Sequence, residues 1–478
     1  MQKSFFSHVF LIVLLNVLVK PFYLFGIDAQ VQNQVGTEDY GLYFSLLNFS
    51  FLFSILLDVG ITNYNSKNIA ESPKLVHRYF GSLIGVRIIL GLMYAAITIG
   101  AGLVLGYNNL QMQLLSLLTV NQFLASMILY LRSNFAGLHL FRVDAFLSVL
   151  DRFLLIVICS VLLYSSWVKQ TFQIEWFVLA QTFSYGTAVA IGLLISMRKI
   201  SVPKIRLKKH FSLVVIRKTL PYALLTLLMM LYSRTDAVMI ERLLEDGKYQ
   251  AGIYAQGFRL LDAANIFALL IAGLLLPVFA RKIKNNESIK ELLRANALLL
   301  LSVSITTSVV ASLFAFQLLN WIYTYTSDLS FTVFPWIILS FIPMCCTYVF
   351  GTLLTANGNM RRLNQMASFS LVLNVVLNYF FILEWGAYGA AVATFFTQCI
   401  AALWQMLLVK KIFQLQLRSQ TALRIVFFSV TLFTASWGVK TVFTETPFIA
   451  LILSLILSGL LILLFRLVSF REVRGMLG

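Results

Sequence analysis

Charge is scarce in this chain, and acidic charge scarcest: 19 Asp and Glu stand against 37 Lys and Arg in 478 residues. With only 12% charged residues, 59% hydrophobic ones and a mean hydropathy of +0.86, the polar surface that a soluble globule needs is missing. An integral membrane protein is expected. Cysteine is rare too. Cys159, Cys345, Cys346 and Cys399 all fall in apolar runs, which excludes the disulfide framework of a secreted domain and leaves them as packing residues. His8, His77, His139 and His210 are scattered without metal-ligand spacing, so no metal is expected. There is no GxxxxGK[ST] loop, no nucleophile elbow and no histidine pair placed for acid–base work. An ATP-driven pump and an enzyme therefore lack support, and no cofactor is expected beyond H⁺ or Na⁺ as a coupling ion.

What the chain has is oil in long runs. A hydrocarbon core about 30 Å thick takes roughly 20 apolar residues per helical span, and about 14 such spans can be placed. They cover 5–26, 41–62, 80–105, 110–131, 145–166, 175–197, 216–240, 251–279, 294–316, 331–355, 363–383, 386–409, 422–442 and 447–468. Runs such as ALLLLSVSITTSVVASLFAF are apolar all round, against the alternation of a membrane barrel. The first run lacks a small-residue cleavage site and is interrupted by Lys20-Pro21, so it reads as a retained helix rather than a signal peptide.

Basic residues test the count, because loops on the cytoplasmic side collect Lys and Arg. With a cytoplasmic N-terminus, only Lys169, Arg242, Lys248 and Lys440 fall outside, and only Lys20, Arg87, Arg152, Arg234 and Arg259 fall within spans. All the others lie inside, which supports an even helix number with both termini cytoplasmic. The net charge of +18 is mostly this topology signal, with attraction to anionic membrane lipid as a by-product; nucleic acid is not implied.

An internal echo divides the chain. YLFGIDAQVQNQVGTEDYGLY at 23–43 is repeated in LYSRTDAVMIERLLEDGKYQAGIY at 231–254: an Asp-Ala pair closes a span, an acidic turn follows, and Tyr-Gly-Leu-Tyr or Ala-Gly-Ile-Tyr opens the next. Asp28 matches Asp236, and Tyr43 matches Tyr254. Six helices per copy, each starting on the same side, make parallel repeats. The expected organisation is an all-α polytopic fold: an N-lobe (1–197), a basic cytoplasmic linker (198–215), a C-lobe (216–411) and two further helices with a tail (412–478). The two six-helix lobes would face one another around a central cavity.

Charges within spans cost about 2.5–3.5 kcal/mol each at a helix centre, so each needs a wet cavity or a partner. By depth, counted at about 1.5 Å per residue, Lys20, Arg234, Arg259 and Asp262 fall in the outer half of the bilayer, and Asp58, Arg87, Asp151 and Arg152 in the inner half. Asp236 sits near a span end. Arg259 and Asp262, three apart, can share a helix face; Arg234 and Asp236, two apart, cannot. Arg234 thus needs a partner on another helix, or a ligand. Asp151 and Arg152 either snorkel or face the cavity, and Lys20-Pro21 marks a kink, with or without a site beside it. Gln122, Asn374 and Asn378 are cavity-polar or helix–helix hydrogen-bonding residues. Pro335 and Pro343 should break the tenth span.

Three segments carry a family resemblance: VGTEDYGLYFSLLNFSFLFSILLDVGITNYNSKNIAE with its Asp58-Val59-Gly60, the Tyr-Ser-Arg-x-Asp segment around Arg234 and Asp236 running to Arg259, and the Trp-Gly-Ala-x-Gly-Ala-Ala turn at 385–391. Together they resemble the polysaccharide-transport flippases of the multidrug/oligosaccharidyl-lipid/polysaccharide exporter superfamily. The resemblance implies a bacterial inner-membrane protein that moves undecaprenyl-diphosphate-linked oligosaccharide, such as an O-antigen repeat unit, from the cytoplasmic to the outer leaflet by alternating access, beside other polysaccharide-assembly proteins. It implies Lys20, Arg87, Arg234 and Arg259 as ligands of the diphosphate and sugar. Asp58, Asp151, Arg152, Asp236 and Asp262 would serve coupling or gating. A lipid II flippase and a cation-coupled multidrug exporter share the fold; a membrane enzyme of polysaccharide assembly is the reading from another class.

Overall fold

The computed structural model describes residues 18–62, 65–66, 69, 72–165, 172–200, 209–414 and 419–467. Among these there is no strand, and 11 helices are long and apolar enough to cross a membrane. In hydrocarbon every backbone N–H and C=O must be satisfied within its own segment, and only the helix does this alone. The chain is a multi-pass membrane protein of all-α class.

The difference between 11 and the expected number has local causes. The first span lies largely outside the described residues; what is described is a helical stretch at 18–22, a π-helical turn (Tyr23–Asp28) and α1 (Ala29–Val35). The π-turn follows Pro21, as helix irregularities commonly follow a proline. Gly36, at φ 88°, separates α1 from α2 (Thr37–Leu52), whose 16 residues run into a 3₁₀ turn at Ser54–Leu57. The expected eleventh and twelfth spans form one 54-residue element, α13 (Met360–Phe413), folded at Gly386, where φ 60° and ψ −139° leave the helical region.

The first compact unit, Met1–Gly252, holds α1, α2, α3 (Leu75–Val104), α4 (Asn109–Gly137), α5 (Phe141–Tyr164), α6 (Ile174–Lys199) and α7 (Lys209–Leu243). Its core joins Phe80, Leu83, Tyr130, Leu131, Phe135, Leu147 and Ala188, where α4 packs on α3, α5 and α6. Asn108 starts α4 with a reciprocal cap: its Oδ1 accepts from the Gln111 N–H and its own N–H donates to Gln111 Oε1, both at 2.9 Å. That satisfies two of the helix's orphan donors. α7 packs on α2, so the packing division falls beyond the basic segment 198–215, within α8 (Gly247–Lys284). Residues 201–208 of that segment lie outside the described residues.

The second unit, Ile253–Gly478, holds most of α8, α9 (Lys290–Leu313), α10 (Ala315–Ile322), α11 (Asp328–Leu339), α12 (Phe341–Ala356), α13, α14 (Ser419–Val442) and α15 (Pro447–Leu464). The expected tenth span is α11 plus α12, parted at Ser340, whose N–H is shared between Trp336 O at 3.3 Å and Ile337 O at 3.1 Å; Pro343 has no N–H to give. α14 and α15 pack on each other and on α9 through Leu298, Ile305, Phe428, Leu432 and Leu461.

Two glycines that match in the internal echo, Gly41 and Gly252, meet. A Cβ on Gly41 would overlap the Lys248 carbonyl and reach the Gly252 N–H at 2.5 Å, and one on Gly252 would overlap the Thr37 carbonyl. Gln32 Nε2 donates to Gly252 O at 3.0 Å across the same contact. Gly-to-Ala in an open helix stabilises by about 1 kcal/mol; here the sign reverses. Gly41→Ala and Gly252→Ala should each lower the thermal midpoint of the detergent-purified protein by an amount equivalent to about 1–3 kcal/mol of overpacking, whereas Gly273→Ala on α8, with open space around it, should leave it unchanged or raised.

Candidate functional site: the intramembrane charges

The Asp-x-Gly stretch is a turn built around a buried cation. After the 3₁₀ turn the chain passes through Val59 at φ 43° and Gly60 at φ 80°; left-handed geometry suits glycine at the second position and is strained for valine at the first. Asp58 holds the turn. Its Oδ1 accepts from the Thr62 N–H at 3.0 Å, from the Thr62 hydroxyl and from the Arg87 guanidinium. Arg87 also donates to Ser126 Oγ at 2.8 Å, Ser126 O at 3.0 Å and Thr62 Oγ1 at 2.6 Å, and its plane lies 5.0 Å from the Tyr130 ring centroid. At 1% exposure, Arg87 is a structural pin where the sequence marked a ligand-binding cation. Asp58, 31% exposed, reaches the surface, and Thr62 and Ser126 are half-buried beside it.

A second group gathers Lys20, Arg132, Asp144, Asp151 and Arg152. The Arg152 guanidinium lies 4.6 Å from the Tyr23 centroid and 5.6 Å from that of Tyr185, with Asp151 Oδ2 at 3.8 Å from its Nε. Arg132 Nε donates to Asp144 Oδ1 at 2.7 Å. Lys20 is within electrostatic range of Arg152, Arg132 and Asp151, and among the described residues it has no ion-pair partner. The depth count had put Lys20 and Arg152 in opposite halves of the bilayer. The two belong to one group. Arg132 was assigned to a loop; the available signal was its place in α4, facing an acidic first turn of α5 across a short connection. Beneath Arg152, Tyr23 and Tyr40 donate to the buried Asp28 at 3.3 and 2.5 Å, and Gln181 Nε2 donates to Tyr43 Oη at 2.8 Å.

The remaining residues divide between the units. In the first, Arg234 finds the partner on another helix that its spacing requires: Nη1 donates to Asn48 Oδ1 at 3.3 Å and the guanidinium lies 5.3 Å from the Phe51 centroid, both on α2. Asp236 is buried, at 1% exposure, and is not a span-ending residue, since α7 runs on to Leu243. Asp28 likewise precedes the end of its helix at Val35 by the same seven residues. Near the same end of the unit, Gln111 Nε2 donates to the buried Glu241 Oε1 at 2.9 Å, a pair the residue types alone did not single out. Gln122 is half-buried. In the second unit Arg259 Nη1 stands 3.7 Å from Asp262 Oδ2, at 12% and 24% exposure, as three-residue spacing predicts. Asn378 Nδ2 donates to Asn374 Oδ1 at 3.0 Å along one turn of α13, both fully buried.

The comparisons follow this geometry. The family described as "Polysaccharide biosynthesis protein" matches residues 7–283, more than half of the chain. The chain belongs to that family. A comparison with curated proteins finds no match. Among solved structures, this family member is similar to an inward-facing multidrug resistance MATE family transporter of the MOP superfamily, with a TM-score of 0.67 and 14% identity over 82% of this chain and 96% of that one. It is also similar to the lipid II flippase MurJ in an inward closed conformation, with a TM-score of 0.65 and 17% identity over 98% of both chains. A MOP superfamily transporter from Pyrococcus furiosus, described as having a binding pocket of reversed polarity, gives a TM-score of 0.61 at 13% identity over 85% of this chain and 94% of that one. At such identities the likeness establishes the fold.

The Asp58–Arg87 pair is open to a double-mutant test. Removing one partner of a buried pair typically costs about 3–5 kcal/mol because the other charge is stranded. The exposure of Asp58 places this pair at or below the lower figure. Asp58→Asn, which strands the buried guanidinium, should lower the thermal midpoint more than Arg87→Met, which strands a carboxylate that reaches solvent, and the double variant should recover part of the loss; strictly additive midpoints would show that the two are not coupled.

Proposed function

We propose that the protein is a flippase that carries polyprenyl-diphosphate-linked oligosaccharide from the cytoplasmic to the outer leaflet of a bacterial inner membrane. The observation that supports this reading most is the Lys20–Arg152 group. Two cations stand within electrostatic reach of one another in the membrane-spanning part of one unit, where like charges are unfavourable unless an anion joins them. The Arg152 guanidinium lies over the Tyr23 and Tyr185 rings, and its N–H groups are of the kind that give phosphate oxygens charge-assisted, bidentate bonds. Asp151 and Asp144 offset part of the positive charge, so that the diphosphate is released as well as bound.

In the second unit Arg259, moderated by Asp262, is a further basic residue suited to an anionic ligand. Arg234, held to α2 by Asn48 and Phe51, is assigned to the same pathway, with Gln122 and the Asn374–Asn378 pair as polar groups along it. Asp236 and Asp151 are the acids that protonation or Na⁺ would act on, and a cation taken up at either biases one conformation over the other. The second reading is a lipid II flippase. It draws on the MurJ likeness, which extends over 98% of both chains where the multidrug transporter reaches 82% of this one.

Deletion of the gene should leave a lipid-linked sugar accumulating in the cytoplasmic leaflet, and the identity of that sugar separates the two readings; no accumulation with unchanged surface glycans sinks both. Lys20→Ala and Arg152→Ala should each reduce export by about tenfold or more, the loss expected for one charge-assisted hydrogen bond, at normal membrane abundance. Undiminished export by both variants would remove the pair from the pathway.

A further inference from the structure

A shallow groove of about 330 Å³ runs along the second arm of α13, lined by Ile400, Leu403, Trp404, Leu407, Leu408 and Lys411. These positions recur at three- and four-residue intervals, so they form one continuous stripe of the helix. From Ile400 to Lys411 the stripe is roughly 16 Å long at the rise of an α-helix. That is about half of a 30 Å hydrocarbon core, the depth of one leaflet. It is apolar for its whole length until it ends on a cation.

The fold supplies more charge at that end. Phe369 on the first arm packs at a tilt against Trp404 on the second, with ring centroids 5.4 Å apart, so the arms lie side by side as a hairpin closed at Gly386. Continuing that register brings Arg361 and Arg362 level with Lys410 and Lys411. All four are exposed. Trp404 is the kind of side chain that settles near headgroup level, with an apolar body and one polar N–H.

We propose that this groove binds one anionic phospholipid of the leaflet at the basic end, its acyl chain lying along Ile400, Leu403, Leu407 and Leu408 and its phosphate held by Lys411 with Lys410 and Arg362. Charge complementarity selects the headgroup, since clustered Lys and Arg at a membrane surface favour anionic lipid by an additive increment per residue. The one-leaflet length selects an acyl chain over a long polyprenyl tail. The site does not depend on the transport reading. It is built wholly from residues of the second unit, whereas Lys20 and Arg152 belong to the first, and it would serve a transporter of any substrate as a fixed point of attachment to the bilayer.

The test is native mass spectrometry of the full-length protein in mild detergent, titrated with phosphatidylglycerol, phosphatidylcholine or polyprenyl diphosphate. One phosphatidylglycerol should be retained over phosphatidylcholine, and Lys411→Gln should weaken that retention about fivefold, the factor for one basic residue at an anionic surface. Leu407→Trp, which fills the groove, should also weaken it, and Arg424→Gln, an exposed base on α14, should not. Retention by the unaltered protein should fall as salt rises, a readout that stands even if a variant does not fold. Equal retention of both phospholipids, insensitivity to salt and to Lys411→Gln, one-for-one displacement by polyprenyl diphosphate, or a dimer that Leu407→Trp abolishes would each overturn the proposal.

Discussion

A charge placed in a hydrocarbon slab has no water to answer it, so the protein must answer it with a counter-charge, a hydrogen-bonding cage or an aromatic face. This constraint sorts the five bases that the sequence places within spans. Arg87 is answered at both terminal nitrogens, by Asp58, Thr62, Ser126 and the Tyr130 face, with only its Nε left buried without a partner, and in return fixes the left-handed turn at Val59-Gly60. Arg259 is answered by Asp262 on its own helix, and Arg234 by Asn48 and Phe51 on α2. Arg152 is held mainly by aromatic faces, with a carboxylate at 3.8 Å. Lys20 has two like-charged neighbours. Binding capacity for an anion follows from the incomplete answers.

The internal repeat gains physical content from the Gly41–Gly252 contact. The two glycines matched in the echo, both within the first compact unit, meet backbone to backbone, and a Cβ on either would overlap a carbonyl of the other segment. The repeat also extends further than the Asp-Ala pairs that revealed it, because Asp28 and Asp236 each sit seven residues short of a helix end. Both are buried. A carboxylate conserved in place between two copies of a motif, and held away from solvent in both, marks a position set by packing as much as by the polar turn beyond it.

Where the residue pattern misled, the reason lies in what periodicity can carry. Depth counted from span ends put Lys20 and Arg152 apart, because a count along separate helices contains no information on tilt, on the widened π-turn after Pro21, or on which helices are neighbours. Arg132 looked like a loop cation because hydropathy ends a span at the first charge, whereas the helix continues to Gly137. The pairing of Arg259 with Asp262 was legible, since both ends of that interaction lie on one helix with fixed geometry.

The sequence by itself determined the membrane class, the helical character, the approximate span positions and the break at the tenth span. Each is a property of a contiguous segment: its length in oil, its prolines, its flanking Lys and Arg. Only the tertiary structure decided which charges meet. Asp58 and Arg87 are 29 residues apart, and Lys20 and Arg152 far more, and nothing in a one-dimensional pattern distinguishes a cation held against a carboxylate from one set over tyrosine rings. That distinction depends on helix neighbours and on burial, and it separates the pin of the fold from the candidate ligand site.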